Sequence, residues 1–189
     1  MTQALSLRPD QPLLGIAAWS GTGKTTLLER LVPMLKGAGL KVAVIKHAHH
    51  RFEVDQPGKD SHRLRMAGAE PILIASRARL ALMMETPGGE EADLATLLAM
   101  VAPLEPQLVL VEGFKDWPLP KLELHRPALE KPLMAEDDPW IQAVASDAPL
   151  ATRGDALDLN DHDAIAAWVQ AWVRRWPEWL FAHQGGEPS

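Results

Sequence analysis

The sequence has no cysteine among its 189 residues and fewer basic than acidic side chains. Without cysteine the chain forms no disulfide and no thiolate metal site, which is compatible with a reducing compartment. The formal net charge of −6 argues against nonspecific nucleic-acid binding, because such binding needs a clustered basic surface. No segment has the apolar length of a signal peptide or a membrane span. We therefore expect a cytoplasmic protein with no nucleic-acid partner and no membrane partner.

The residues that are present have the balance of an ordinary globular protein, with 47% hydrophobic and 23% charged side chains. The length suits one domain with one substantial core. We predict a single nucleotide-binding domain over residues 12–182, a flexible N-terminal tail over residues 1–11 and a disordered tail over residues 183–189.

The nucleotide assignment rests on a phosphate-binding loop at residues 18–26, which read AWSGTGKTT between an apolar run and a helical pattern. Glycines let the backbone approach an anion, the lysine reaches the β- and γ-phosphates, and the hydroxyl after it binds Mg²⁺. Ala18 stands where the usual motif has its first glycine. We predict a catalytic role for Lys24, a metal-binding role for Thr25, and cofactor binding by Ser20, Gly21, Thr22, Gly23, Lys24, Thr25 and Thr26.

Strand and helix patterns alternate along the chain, beginning with a helix predicted over residues 25–36 and a buried strand over residues 41–46. Strand, P-loop, helix and strand together make a βαβ unit, which requires parallel strands. We predict an α/β fold of the P-loop NTPase type, with a mostly parallel sheet flanked by helices and a hairpin-like antiparallel extension. The later elements are predicted as helices over 61–69, 90–101 and 161–175, and strands over 71–76, 80–85, 107–112, 121–126 and 140–146.

The last helix carries tryptophans at positions 168, 172 and 176, on one broad face. Tryptophans at helical spacing are typical of a packed core, with a subunit interface as the next alternative. Pro177 is predicted to end or kink this helix.

Glu112 stands at the end of the most apolar strand, over residues 107–112. An acidic residue at the tip of a strand beside a P-loop holds Mg²⁺ or positions the attacking water. We predict catalytic and metal-binding roles for Glu112. The alternative is an acid that merely marks where a buried strand meets solvent.

A polar stretch over residues 47–61 follows the second strand and is too long for a simple connector. Its place after a strand beside the P-loop predicts a switch at the ligand edge of the sheet. Asp55 is predicted to be catalytic and Asp60 to bind metal, since either carboxylate can reach Mg²⁺ or a water. Lys46 and Lys59 are predicted to bind the phosphates of the cofactor.

Asp147 follows the strand predicted over residues 140–146. A carboxylate there can accept hydrogen bonds from N1–H and N2–H₂ of guanine, which adenine cannot donate. We predict guanine selectivity through Asp147. The alternative is an ordinary aspartate that opens a turn before Pro149.

These motifs together resemble the MobB family of molybdopterin-guanine dinucleotide biosynthesis adaptor proteins. The resemblance covers nearly the whole chain and rests on the P-loop, IKHAHH at 45–50, DQPGKDS at 55–61, RMAGA at 65–69, ETP at 85–87, LVEGFK at 110–115 and AVASD at 143–147. It implies a protein that binds GTP and Mg²⁺, hydrolyses GTP slowly and forms a homodimer. It also implies that the protein assists the guanylyltransferase MobA, which joins GMP to molybdopterin. Molybdopterin is therefore a further candidate ligand for the basic residues near the loop.

Two other functions stay open. A P-loop small-molecule kinase would need arginines in a lid, for which Arg77 and Arg79 are the candidates. A metallochaperone GTPase would bind Zn²⁺ or Ni²⁺ through the neutral imidazoles of His47, His49 and His50.

Overall fold

The computed structural model describes residues 11–48, 53–85 and 93–183, which form eight β-strands and four α-helices. Two compact units are present, one with the described residues up to His47 and from Leu94 onward, the other between Ala48 and Asp93. The single domain over residues 12–182 stays a prediction. The helices are α1 (Lys24–Gly37), α2 (Asp60–Met66), α3 (Leu94–Val101) and α4 (His162–His183).

The first unit is built on a six-stranded parallel sheet. In spatial order its strands are β2 (Val42–Lys46), β5 (Leu108–Glu112), β1 (Leu13–Ala18), β6 (Lys121–His125), β7 (Ile141–Ser146) and β8 (Asp155–Asp158). The central strands are runs of aliphatic residues buried on both faces, as parallel sheets require. This sheet confirms the predicted fold class.

The core of this unit is closed by α1 and α4, which contact each other. Leu27, Leu31 and Leu35 recur every fourth residue in α1 and are all buried. In α4, Trp172 is fully buried, and its indole N–H donates to the carbonyl of Leu13 at 3.0 Å. Trp168 stacks on Trp172 with ring centroids 6.0 Å apart. The tryptophan face is therefore core, as its spacing predicted.

One prediction about the last part of the chain is wrong, and one strand there was not predicted. The last helix, predicted over 161–175, does not end before Pro177, since α4 continues through this residue to His183. Trp176 is buried and Trp179 packs against the same core. The burial of these tryptophans on both sides of Pro177 favours the helix and offsets the helical hydrogen bond that proline, which has no N–H, cannot donate. The edge strand β8 was not predicted, since its sequence Asp-Ala-Leu-Asp lacks the β-branched residues typical of strands.

The polypeptide between β6 and β7, residues 126–140, contains two short 3-10 turns and no α-helix. Two buried charged residues of β6 hold it against the sheet. The carboxylate of Glu123 accepts the N–H groups of Met134 and Ala135, each at 2.8 Å, and Lys121 Nζ donates to Asp138 at 2.7 Å. Burial raises the pKa of Glu123 above its usual value, and the two backbone hydrogen bonds oppose that shift.

The second unit contains α2 and the antiparallel strands β3 (Ile72–Ala75) and β4 (Leu80–Met83). The chain reverses between them, with Ser76 N–H donating to the carbonyl of Arg79 at 2.8 Å. This pair confirms the predicted hairpin-like extension. The helix predicted over 61–69 is shorter, since Gly68 has a φ of 97° and ends it. No helix in the described part of the chain is long and apolar enough to cross a bilayer.

Candidate functional site

The P-loop joins the carboxyl end of β1 to the first residue of α1. Gly21 and Gly23 have φ angles of 83° and 106°, a left-handed conformation in which other residues are strained. No side chain caps the N-terminus of α1, and its first turn contains no acidic residue. The first N–H groups of α1 therefore keep the partial positive charge that favours a bound anion.

The residues of the loop divide into an inner set, whose side chains contact the loop backbone, and an outer, exposed set. Lys24 Nζ donates to the carbonyls of Ala18 at 3.0 Å and Trp19 at 3.5 Å, so the ammonium group folds back over the loop. The hydroxyl of Thr22 is turned inward and donates to Trp19 at 2.8 Å. The outer set is exposed and consists of Ser20, Gly21, Thr25 and Thr26.

Lys46 and Glu112 lie beside each other at the ends of β2 and β5. Lys46 Nζ is 3.6 Å from Glu112 Oε2, with side chains 59% and 13% exposed. Because β5 pairs with β1 in parallel, both residues lie at the sheet edge from which the P-loop leaves. The structure thus places the predicted acid Glu112 on the strand beside β1, and the predicted phosphate ligand Lys46 one strand further from the loop.

His47 continues from β2 and is held against the segment that follows β5. Its N–H donates to the carbonyl of Glu112 at 2.8 Å, and its ring lies 5.0 Å from that of Phe114. A Cβ added to Gly113 would lie 2.8 Å from His47 Cβ, so only glycine fits here. The predicted metal ligands His49 and His50 lie outside the described residues.

Arg126 is a site residue that the sequence did not reveal. Its Nε donates to the carbonyl of Thr22 at 2.9 Å, and its Nη1 donates to Asp147 Oδ2 at 2.6 Å. Asp147, the predicted guanine ligand, is therefore tied to the P-loop through one guanidinium. The only signal in the sequence is a basic residue at the end of a predicted strand, because the sequence does not reveal which strands pair with that one.

Trp19 links the loop to other basic residues. Its indole N–H donates to the carbonyl of Pro132 at 2.9 Å, and Lys115 and Lys131 lie over its ring at 5.3 and 5.9 Å from the centroid. Cations held over an indole face are attracted by its electron density. Although the net charge of the whole chain is −6, basic side chains are concentrated around the P-loop. Such a local positive charge favours an anionic ligand.

The other predicted site residues, Asp55, Lys59 and Asp60, belong to the second unit. Both carboxylate oxygens of Asp55 contact Arg65, at 3.0 Å from Nη2 and 3.4 Å from Nε. This hydrogen-bonded guanidinium lowers the pKa of Asp55. Arg65 also contacts Glu53 at 2.5 Å, so it joins two acidic residues. Lys59 and Asp60 stand at the N-terminus of α2.

Comparison with known proteins gives one family. The sequence model of "Molybdopterin guanine dinucleotide synthesis protein B" (MobB) matches residues 13–147. The molybdopterin-guanine dinucleotide biosynthesis adapter protein of Escherichia coli K12 is 47% identical over 165 residues, which are 87% of this chain and 94% of that protein. The adapter protein of the same name from Haemophilus influenzae is 44% identical over 162 residues, 86% of this chain and 89% of that protein.

Solved structures agree with this result. A crystal structure of molybdopterin-guanine biosynthesis protein B superposes with a TM-score of 0.67 and 27% identity, covering 84% of this chain and 98% of that one. The MobB homologue from Bacillus stearothermophilus has a TM-score of 0.62 and 26% identity, covering 86% of this chain and 97% of that one.

Proposed function

Because the chain belongs to the MobB family of molybdopterin-guanine dinucleotide synthesis proteins, we propose that it is a GTP-binding adaptor in the formation or delivery of that dinucleotide. In this proposal it hydrolyses GTP slowly and assists the guanylyltransferase MobA in the cytoplasm. The observation that carries it is the P-loop at the end of β1, with Lys24 folded over the loop and an uncapped helix following it. That arrangement suits the triphosphate of a nucleotide.

The proposed metal ion is Mg²⁺, bound between the hydroxyl of Thr25 and the carboxylate of Glu112. Among the described residues no group of three or more His, Cys, Asp or Glu side chains could hold a metal. Mg²⁺ fits nonetheless, because it commonly uses one or two protein ligands together with phosphate oxygens and water. When bound, it neutralises charge on the β- and γ-phosphates. Lys46 already contacts Glu112 and would lie beside those phosphates.

We assign the remaining predicted residues to a switch in the second unit. Lys59 would bind phosphate, Asp60 would bind the metal through water, and Asp55 would orient the attacking water. Each oxygen of Asp55 accepts one hydrogen bond from Arg65 and keeps a second lone pair, which can accept from a water while Arg65 holds the carboxylate in place.

We further propose that the protein is a homodimer joined through the β3–β4 pair. Leu73 and Leu82 are directly opposite in the register, and Leu80 lies on the same face. Leu73, Leu82 and Leu80 are 60%, 45% and 65% exposed, respectively, which is unusual for neighbouring leucines in a strand pair.

Molybdopterin is proposed as a second anionic ligand near the basic residues of the P-loop.

Calorimetry with Mg²⁺ complexes of GTP and ATP tests the nucleotide proposal. We expect GTP to bind at least about tenfold more tightly than ATP, and Lys24→Ala to lose at least about tenfold in GTP affinity. Asp147→Ala should abolish the preference. Asp147→Asn should favour xanthosine triphosphate, because the amide can donate to the C2 carbonyl of xanthine.

Normal GTP binding by Lys24→Ala would refute the P-loop assignment. Preference for ATP, together with phosphate transfer to an acceptor, would replace the adaptor with the kinase alternative. Binding of stoichiometric Zn²⁺ or Ni²⁺ that is lost in His49→Ala and His50→Ala would support the metallochaperone instead. Co-sedimentation with purified MobA, with and without GTP, tests the partner, and the absence of a complex in both conditions would contradict it.

A further inference from the structure

Arg126 joins two loops that leave the same edge of the sheet. It follows β6, which pairs with β1 on one side and β7 on the other. One acceptor of its guanidinium is the Thr22 carbonyl, in the P-loop after β1, and the other is Asp147, after β7. A planar group with fixed donor directions therefore sets the position of one carboxylate relative to the phosphate-binding loop.

Arg126 Nη2 and one carboxylate oxygen of Asp147 take no part in these two hydrogen bonds. Nη2 of Arg126 lies 3.9 Å from the position that a Cβ on Gly23 would occupy, so the guanidinium lies beside the glycine that precedes Lys24. Asp147 uses Oδ2 for Arg126, and its other oxygen receives no hydrogen bond from the residues that the structure describes. Asp147 thus keeps one acceptor for a further donor.

We propose that Arg126 is a specificity-determining positioning residue, which holds Asp147 so that its remaining oxygen accepts N–H groups of guanine. The inference rests on the proposed GTP-binding function. A carboxylate on an exposed loop would otherwise lose side-chain freedom when it binds the base, and a preformed ion pair removes part of that cost. At 2.6 Å the hydrogen bond is short and charge-assisted, although side chains 35% and 25% exposed leave it partly screened.

The test compares GTP with inosine triphosphate, which lacks the exocyclic amino group at C2. The ratio of their affinities reports the hydrogen bond from N2–H₂ to the carboxylate, because N1–H, the triphosphate and the ribose are the same in both nucleotides. In the wild-type protein we expect GTP to bind about tenfold more tightly than inosine triphosphate. In Arg126→Gln this ratio should fall to about twofold or less, as Asp147 loses its fixed position.

Two further variants separate positioning from charge and from folding. Arg126→Lys keeps the charge but offers a single nitrogen, which cannot reproduce the two-armed contact, so the ratio should stay low. Arg30→Gln removes an exposed arginine of α1 and should keep the wild-type ratio. Because a ratio of affinities does not change with the fraction of folded protein, partial unfolding of a variant does not imitate the predicted result.

The outcomes distinguish this inference from the function on which it rests. A wild-type protein that binds GTP no better than ATP refutes guanine selection itself. A wild-type protein that prefers GTP, with an unchanged GTP-to-inosine-triphosphate ratio in Arg126→Gln, overturns the role of Arg126 and leaves the function intact. Full recovery of the ratio in Arg126→Lys would also overturn the positioning geometry, since charge would then suffice.

Discussion

At the residue scale, Gly113 has no space for a side chain. It directly follows Glu112 and has a φ of 101°, and an added Cβ would lie 2.8 Å from His47 Cβ and 3.0 Å from the His47 carbonyl oxygen. We predict that Gly113→Ala lowers the free energy of unfolding by about 1–3 kcal/mol from backbone strain, with a further loss from the clash. Urea denaturation of the purified variant measures the change.

Gly37→Ala is the matched control for this substitution. Gly37 is the last residue of α1, and nothing lies within 4 Å of an added Cβ. Alanine there should be neutral or stabilise the protein by up to about 1 kcal/mol. Equal effects of the two substitutions would show that the contact between Gly113 and His47 does not constrain the fold.

Glu123 gives a prediction for the pH dependence of stability. Its folded-state pKa is raised by burial above the ordinary value of 4.5, so the folded protein binds the proton at a higher pH than the unfolded chain. Stability is therefore gained as pH falls through the raised pKa towards 4.5, and lost as pH rises through the same window. Glu123→Gln does not titrate, so wild type should gain stability relative to this variant as pH falls through the raised pKa towards 4.5.

Denaturation of both proteins at several pH values in this range measures the difference between their free energies of unfolding. The titration of all other groups is common to both proteins and cancels in this difference. A difference that stays constant, or that shrinks as pH falls, would contradict a raised pKa. The sequence did not reveal this burial, because the alternation in Lys-Leu-Glu-Leu-His is typical of a strand with one polar, solvent-facing side. Here the polar side is covered by the segment between β6 and β7.

At the scale of elements, α4 contains Pro177 in its interior. Proline removes one helical hydrogen bond and crowds the preceding turn, at a cost of about 3 kcal/mol relative to alanine in an isolated helix. We predict that Pro177→Ala stabilises the protein by about 1–3 kcal/mol, measured by urea denaturation. Pro127→Ala, at the start of a 3-10 turn where proline is suited, should change stability little. A destabilising Pro177→Ala would show that the core requires the altered helix geometry.

The same elements show how far the sequence determines the site. The P-loop and the strand ending at Glu112 were predictable, because a local motif and a long apolar run identify them without knowledge of the fold. The contact between Arg126 and Asp147 was not predictable, since it depends on β6 and β7 being neighbours in register. The edge strand β8 was missed because pairing with β7, rather than its own composition, makes it a strand.

At the scale of the whole molecule, the chain combines two units of different character. The first has a continuous core under a parallel sheet, whereas α2 has no buried residue and β3 and β4 leave leucines exposed. Such a unit gains little from its own core. Stabilisation by a second copy of the chain therefore fits the exposed face of Leu73, Leu80 and Leu82.

We predict that Leu82→Glu weakens self-association at least about tenfold, because it buries a charge opposite Leu73 in the proposed interface. Sedimentation velocity over a range of protein concentrations measures the effect. The matched control is Leu104→Glu, which introduces the same charge at a leucine of the first unit that is 62% exposed. Leu104→Glu should associate like the wild-type protein.

A wild-type protein that stays monomeric at all protein concentrations would refute the homodimer, whereas a dimer unaffected by Leu82→Glu would refute only this surface. GTP binding by the Leu82→Glu variant then decides whether the nucleotide site of one chain functions without the second.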